Sequence, residues 1–147
     1  MATSPTQRSL AHLRREGYTL VQVVEKWIPR ARRRVDLFGI IDVVGIHEEI
    51  PGLVGIQATS ISNFSSRVRK AQESTSLPIW IQNGNRFEVH GWGKKGPRGK
   101  RKTWQLKKAD YDEVRLYGRG DPGDNQEATA TPDGPEIHPD HEREGEA

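Results

Sequence analysis

The sequence predicts a single α/β domain with a mixed central sheet in the order αβββαβ, followed by a C-terminal hairpin. Three observations support this fold class. A chain of 147 residues suits one domain with one modest core. Two segments have the apolar spacing of amphipathic helices. Between and after them lie short apolar runs, bounded by glycine and proline, that are typical of strands.

Two helices are predicted, over residues 7–16 and 62–73. In the first, Leu10 and Leu13 lie three positions apart, arginines face outward, and Gly17 ends the helix. In the second, the apolar residues recur at helical spacing. They form the stripe Phe64, Val68 and Ala71.

The strands follow from apolar runs. Residues 18–27 are rich in valine, and Pro29 ends the run. Residues 37–46 are continuously apolar apart from one acid, which favours a central position in the sheet. The remaining predicted strands cover residues 53–59, 77–82, 86–92 and 103–108, and the last two form the C-terminal hairpin.

Composition excludes several classes of protein. The chain has no cysteine, which excludes disulfides, thiolate zinc sites and thiol nucleophiles. No apolar run approaches the roughly 20 residues that cross a bilayer. We therefore expect a soluble, cytoplasmic protein with no membrane partner.

Charge divides the chain into a basic body and an acidic tail. Residues 118–147 hold nine acidic and two basic residues, a net charge of −7, whereas residues 1–117 carry +10. The tail has too few large apolar residues to offset the entropy of ordering. We expect an N-terminal tail over residues 1–6, a folded domain over residues 7–117 and a disordered acidic tail over residues 118–147.

An acid interrupts the apolar run of the second predicted strand. Burying the Asp42 carboxylate costs on the order of several kcal/mol unless it is paired or bound to a cation. Because side chains alternate along a strand, Gln57 and Thr59 share one face of the third strand, beside Asp42 if the strands are neighbours. Asp42 and the Gln57 amide oxygen match the ligands of a hard divalent cation. Alternatively, Asp42 caps a bulge or pairs with Arg33 or Arg34.

Three basic segments predict a nucleic-acid-binding surface. Residues 94–102 hold six bases in nine positions, and such side chains contact phosphates and release counterions. A run of charge is also typical of a merely solvated face, and that alternative stays open. The residues expected to contact nucleic acid are Arg32, Arg33, Arg34, Arg67, Arg69, Lys70, Lys94, Lys95, Arg98, Lys100, Arg101 and Lys102.

The order αβββαβ, with Asp42 on the second strand and a polar pair on the third, resembles the PD-(D/E)XK nuclease superfamily and its restriction-endonuclease-like fold. Within it, the chain is similar to Holliday junction resolvases and to small resolvase-like proteins of phages and bacteria. The resemblance covers roughly residues 7–108. It is carried by segments 8–18, 36–42, 55–60 and 88–92, together with Trp80 and Trp104.

The resemblance implies roles for three residues. In that superfamily an Asp and a strand-three acid hold Mg²⁺ or Mn²⁺, and a Lys two positions later supports catalysis. Asp42 takes the first position, Gln57 the second and Thr59 the third. Two of the three depart from the pattern, because Gln57 offers only a neutral oxygen and Thr59 carries no charge.

Other residues are expected to replace what is missing. Glu25, near the end of the first strand, is the candidate for the absent carboxylate, and Arg67 or Lys70 for the absent cation. Two alternatives apply to Asp36, which has the same strand parity as Asp42. Either Phe38-Gly39 bends the chain between Asp36 and Asp42, or Asp36 pairs with the preceding arginines.

We therefore expect an endonuclease that uses Mg²⁺ or Mn²⁺ to hydrolyse DNA phosphodiesters, including those of branched DNA. No small-molecule organic cofactor is expected. Resolvases of this kind are dimers, so the resemblance implies a homodimer. The alternative is a nucleic-acid-binding module that keeps the nuclease fold without catalysis.

Overall fold

The elements of the fold are taken from a computed structural model, which describes residues 3–112 and the backbone of residues 119–120. The helices of this part are α1 (Pro5–Arg15), α2 (Phe64–Glu73), α3 (Ser76–Gln82) and a short 3-10 turn (Ile61–Asn63). The strands are β1 (Tyr18–Val23), β2 (Lys26–Ile28), β3 (Arg33–Val35), β4 (Val43–His47), β5 (Ile50–Ser60), β6 (Arg86–Lys95), β7 (Thr103–Tyr111) and β8 (Arg119–Gly120).

One mixed sheet forms the centre of the molecule, in the spatial order β1-β4-β5-β6-β7-β8. β5 and β6 are parallel, and every other pair in this sheet is antiparallel. The parallel pair is joined by a crossover that contains α2 and α3, as parallel strands require. The predicted α/β class with a mixed central sheet is confirmed, and α1, β1, β4, β5 and α2 follow the predicted order.

Helices cover both faces of the sheet. α1 packs on one face through Leu10 and Leu13, which join Val54 and Ile56 of β5 in one core cluster. α2 and α3 cover the other face with a larger cluster around Phe64, Val68, Leu77 and Ile81. Because β5 contributes alternate side chains to the two faces, Gln57 and Thr59 lie on the side covered by α2.

Helix α1 begins two residues before the predicted start. Pro5 occupies its first turn, where a missing backbone N–H costs nothing, and the Ser4 side chain accepts a hydrogen bond from the backbone N–H of Gln7 at 3.2 Å. Residues 5 and 6 therefore belong to the folded domain, and the prediction that residues 1–6 form a tail is wrong for them.

The predicted second strand over residues 37–46 is half turn and half strand. Phe38 and Gly39 have φ of +54° and +81°, and they fold the chain back so that Leu37 N–H donates to the Ile41 carbonyl at 2.8 Å. The strand itself begins at Val43. Asp42 therefore lies just before the strand, although its backbone still joins the ladder through the Ile56 carbonyl at 2.7 Å.

The prediction of a strand over residues 77–82 is wrong, because this segment is helix α3. Leu77 and Ile81, four positions apart, are both buried on one side of it. Pro78 lies in the first turn, where a helix tolerates it. The fourth strand of the core is instead β6, the first strand of the predicted hairpin, which pairs with β7 from Phe87↔Tyr111 to Lys95↔Thr103.

The prediction of one strand over residues 18–27 also needs correction. β1 ends at Val23, and the chain then leaves the sheet to form the separate hairpin of β2 and β3. The arginines expected in a basic link lie in and around this hairpin. Most of the predicted acidic tail lies outside the described residues. None of the helices in the described part combines the length and apolar character that a bilayer span requires.

Candidate functional site

A cavity of about 650 Å³ opens where β4 and β5 meet the first turn of α1 and one side of α2. Among the described residues, seven charged side chains line it, four cationic and three anionic. The predicted polar pair, Gln57 and Thr59, is also in its wall. The charged and polar lining includes Glu25, Arg33, Arg34, Asp36, Asp42, Gln57, Thr59, Arg67 and Lys70.

The Asp42 carboxylate is buried at the base of this cavity, with 4% of the residue exposed. Its Oδ2 accepts a hydrogen bond from the Gln57 side-chain amide at 2.9 Å and another from the Ala58 backbone N–H at 2.8 Å. The predicted proximity of Asp42 and Gln57 is confirmed, because β4 and β5 are antiparallel neighbours. The alternative in which Asp42 pairs with Arg33 or Arg34 is not what the structure contains.

Asp36 is the residue that the sequence analysis underestimated. The turn at Phe38-Gly39 brings it back toward Asp42, so that the Gln57 amide nitrogen also donates to Asp36 Oδ2, at 3.2 Å. Lys70 of α2 donates to the same oxygen, also at 3.2 Å. Asp36 thus joins Asp42 and Gln57 in one cluster, and its cationic partner comes from α2 and not from the preceding arginines.

The two carboxyl groups are linked by a hydrogen bond between their side chains. Burial and this hydrogen bond, which the protonated Asp42 donates to Asp36, raise the pKa of Asp42 to about 7. Burial opposes ionisation of Asp36 as well, but hydrogen bonds from Asp42, Gln57 and Lys70 outweigh it and lower the pKa of Asp36. Below neutral pH, Asp42 is therefore the protonated partner and Asp36 the ionised one.

Glu25 lines the cavity but does not join the carboxylate pair. It lies between β1 and β2, and its Oε2 accepts a hydrogen bond from Arg34 Nη1 at 2.7 Å while Oε1 accepts one from the Thr6 hydroxyl at 3.3 Å. Among the described residues, no group of three or more His, Cys, Asp or Glu side chains is arranged to hold a metal ion. Asp42, Gln57 and Glu25 all line the cavity, but Glu25 is paired with Arg34, whereas the Gln57 amide donates to Asp42 and Asp36.

The remaining predicted site residues also lie in the wall of the cavity. Thr59 is buried in the cavity wall two positions after Gln57. Lys70 and Arg67, one helical turn apart on α2, both line the cavity. The Nε atom of Arg67 is buried and has no hydrogen-bond partner within the described region. The two residues proposed to replace the missing cation therefore both face the site.

The other predicted nucleic-acid contacts lie outside the cavity, with the exception of two arginines of β3. Arg33 and Arg34 line it, but Arg32 and Arg69 are exposed and do not. The basic segment over residues 94–102, which comprises the end of β6 and the loop to β7, is exposed. It contains Lys94, Lys95, Arg98, Lys100, Arg101 and Lys102. Its Lys94 contacts the ring of Trp104 at 5.6 Å, and Arg8 of α1 stacks on that ring at 3.5 Å.

A metal ion would find oxygen ligands in the cluster. Two carboxylates converge on one amide, and burial keeps Asp42 protonated up to about neutral pH. Hard divalent cations such as Mg²⁺ and Mn²⁺ are bound by carboxylate, amide and water oxygens. Asp36 and Asp42 are therefore compatible with such an ion, which would displace the proton of Asp42.

A second polar network, missed by the sequence analysis, joins α1 to β6. Ser9 Oγ lies 2.8 Å from His90 Nδ1, and His90 Nε2 lies 2.8 Å from Glu88 Oε1. Trp92 Nε1 donates to Ser9 Oγ at 2.9 Å. The order Ser-His-Glu is that of a hydrolytic triad. Ser9 and His90 are completely buried, however, so Ser9 cannot reach a substrate and the network fixes α1 on the sheet.

Comparison with known proteins found no match to this chain among protein families, curated proteins or solved structures.

Proposed function

We propose that this protein is an endonuclease that hydrolyses phosphodiester bonds of DNA with the help of Mg²⁺ or Mn²⁺. The observation that carries this proposal is the convergence of Asp36, Asp42, Gln57 and Lys70 in one cavity. Metal-dependent nucleases combine paired carboxylates with a nearby cation. The resemblance to PD-(D/E)XK nucleases supports the same function. Asp36 is an additional acid, because the motif of that superfamily was matched here without it.

Each residue of the cluster has a defined task in this proposal. Asp36 and Asp42 hold the cation, and Gln57 orients both carboxylates through its amide. A bound divalent cation neutralises charge on the scissile phosphate and lowers the pKa of a water molecule. Lys70 and Arg67 stabilise the negative charge that develops on the phosphate oxygens, which is the task of the motif lysine that Thr59 cannot perform.

The cleavage assay for this proposal uses purified protein, supercoiled plasmid DNA and a synthetic four-way junction, with Mn²⁺ or with EDTA. We expect nicking in Mn²⁺ that EDTA abolishes. Mn²⁺ without DNA should also raise the melting temperature by about 5 °C, because binding to the folded state alone stabilises it. Equal nicking in EDTA would contradict the proposal, and so would an unchanged melting temperature combined with no cleavage.

One observation favours the alternative, a DNA-binding module without catalysis. The Gln57 side chain presents its amide nitrogen, and not its oxygen, to both carboxylates. These two hydrogen bonds already stabilise part of the negative charge of the carboxylates, which a bound cation would otherwise neutralise. Tight, salt-sensitive DNA binding without nicking in either metal, and without a Mn²⁺-dependent rise in melting temperature, would establish this alternative.

Changing Lys70 to glutamine tests whether α2 supplies the catalytic cation. We expect Lys70→Gln to lower the cleavage rate by about 100-fold, because removing one preorganised donor at a developing anion commonly costs that much. The matched control is Arg69→Gln, which removes an exposed charge from the next position of the same helix. Equal losses in the two variants would show that only the general charge of α2 matters.

The loop between β6 and β7 should contribute affinity through phosphate contacts. We expect the double variant Lys100→Gln, Arg101→Gln to bind DNA more weakly and to make the slope of log K against log salt shallower by about 2. Arg14→Gln with Arg15→Gln, exposed on the last turn of α1, is the control of equal charge. Fluorescence anisotropy at several salt concentrations measures both, and equal slopes would remove the loop from the interface.

A further inference from the structure

A second cavity, of about 400 Å³, lies on the other side of the turn that carries Asp36. Its walls are mainly apolar. Phe38 and Ile79 are unusually exposed there, at 60% and 62% of their surfaces. Trp80 faces Phe38, with ring centroids 6.3 Å apart and a 53° angle between the planes. Ser76, Asn83 and Asn85 complete the lining.

Folding alone does not account for Phe38. Its backbone φ of +54° lies in the left-handed region, which bulky side chains rarely adopt. Its ring is mostly exposed, so burial of apolar surface does not offset that strain. Residues held in such conformations are concentrated at ligand-binding sites. Trp80 is held firmly by comparison, because its indole N–H donates to the Arg86 carbonyl at 2.7 Å.

The rim of the cavity offers an acceptor and a donor. Asn83 uses its Nδ2 to donate to the Ile79 carbonyl at 2.8 Å, which leaves its Oδ1 for a ligand. Asn85 uses its Oδ1 to accept from the Leu53 backbone N–H at 2.9 Å, which leaves its Nδ2. An apolar cavity of this volume with a few polar groups is typical of a site for a small planar ligand.

The two cavities share one wall. Gly39 lines the cavity of the carboxylates and Phe38, the adjacent residue, lines the second cavity. A ligand in the second cavity is therefore separated from the carboxylate site by a single turn of chain. The carboxylate cavity is rimmed by arginine and lysine side chains, which suit a polyanion.

We propose that the second cavity binds an unpaired nucleobase, stacked on the exposed Phe38 ring beside Trp80, of the DNA strand whose phosphate enters the carboxylate cavity. This inference rests on the proposed function and adds a substrate class to it, namely DNA with an extrahelical or unpaired nucleotide. Base stacking on aromatic side chains is largely independent of sequence, whereas the two Asn amides read the edge of the base.

The test compares two DNA probes in EDTA, so that no cleavage intervenes. One is a fully paired duplex, and the other has the same sequence with a single unpaired 2-aminopurine. We expect the wild type to bind the second probe about tenfold more tightly and to quench its fluorescence, as stacking on one aromatic pair would produce. Phe38→Asn, which removes the ring but suits the left-handed backbone, should abolish both effects. Phe38→Tyr and the exposed control Leu20→Ala should retain them.

The outcomes separate this inference from the proposed function. Equal affinity of the wild type for the two probes, or an unchanged preference in Phe38→Asn, would overturn the nucleobase site while duplex binding still supported the nuclease. Failure to bind either probe would overturn both. A wild-type dimer that Phe38→Asn converts to a monomer in sedimentation experiments would assign the surface to a second copy of the chain and would also overturn the nucleobase site.

Discussion

Replacing Asp42 with asparagine is expected to lower metal-dependent DNA cleavage by roughly a thousandfold while the protein stays folded. Asparagine has the same shape, and its Oδ1 can still accept the hydrogen bond from the Ala58 backbone N–H. It lacks the charge, however, so a divalent cation would lose one of its two carboxylate ligands. The rate of plasmid nicking in Mn²⁺ measures the effect.

The control for this variant is Glu48→Gln, an equally conservative loss of charge at an exposed acid of the β4–β5 turn. It should cleave DNA at the wild-type rate. The Mn²⁺-dependent rise in melting temperature should disappear in Asp42→Asn and persist in the control. Nicking that survives unchanged in Asp42→Asn would show that the cleaving activity does not come from this cavity.

The second large effect is on stability and depends on pH. Asp42 has a pKa of about 7 in the folded protein against an ordinary value of 3.8, so the folded state binds more protons than the unfolded state between these values. Stability therefore falls as the pH rises from about 4 to about 7, and the full penalty remains at higher pH. At about 1.4 kcal/mol per pH unit, the loss is of the order of 2–4 kcal/mol.

Asp36 does not cancel this effect, because its lowered pKa changes stability only at pH values below about 4. Urea unfolding of the wild type and of Asp42→Asn between about pH 4 and pH 8 measures the difference. The variant should lack the fall in stability that Asp42 causes across this window, and it should be more stable than the wild type at pH 8. Parallel pH profiles would mean that Asp42 is ionised in the folded protein throughout this range.

The central contact of the site could be predicted from local rules. The alternation of side chains along a strand predicted that Asp42 and Gln57 meet if the second and third strands are neighbours, and these strands do pair. Thr59 follows from the same alternation. The positions of Lys70 and Arg67 were predicted from helical spacing, since residues three apart share one face. These relations need only sequence separation and the geometry of one regular element.

Asp36 could not be predicted in the same way. Its approach to Asp42 depends on Phe38, a bulky residue in a conformation that its propensity disfavours. Gly39 signalled a bend but not its direction. The helix at residues 76–82 was missed for a different reason. A short apolar run is compatible with a strand or a buried helix, and only the spacing of Leu77 and Ile81 favours the helix.

The contact between Ser9 and His90 widens the range of positions at which activity can be lost. Helix α1 supplies Ser4 and Thr6 to the wall of the carboxylate cavity, and its attachment to β6 runs through the Ser9 hydroxyl. A screen for inactive variants should therefore recover changes at Ser9, which is not part of that wall. Variants at Ser9 would be inactive because helix α1 is displaced. Loss of activity alone should therefore not be taken as evidence that Ser9 is catalytic.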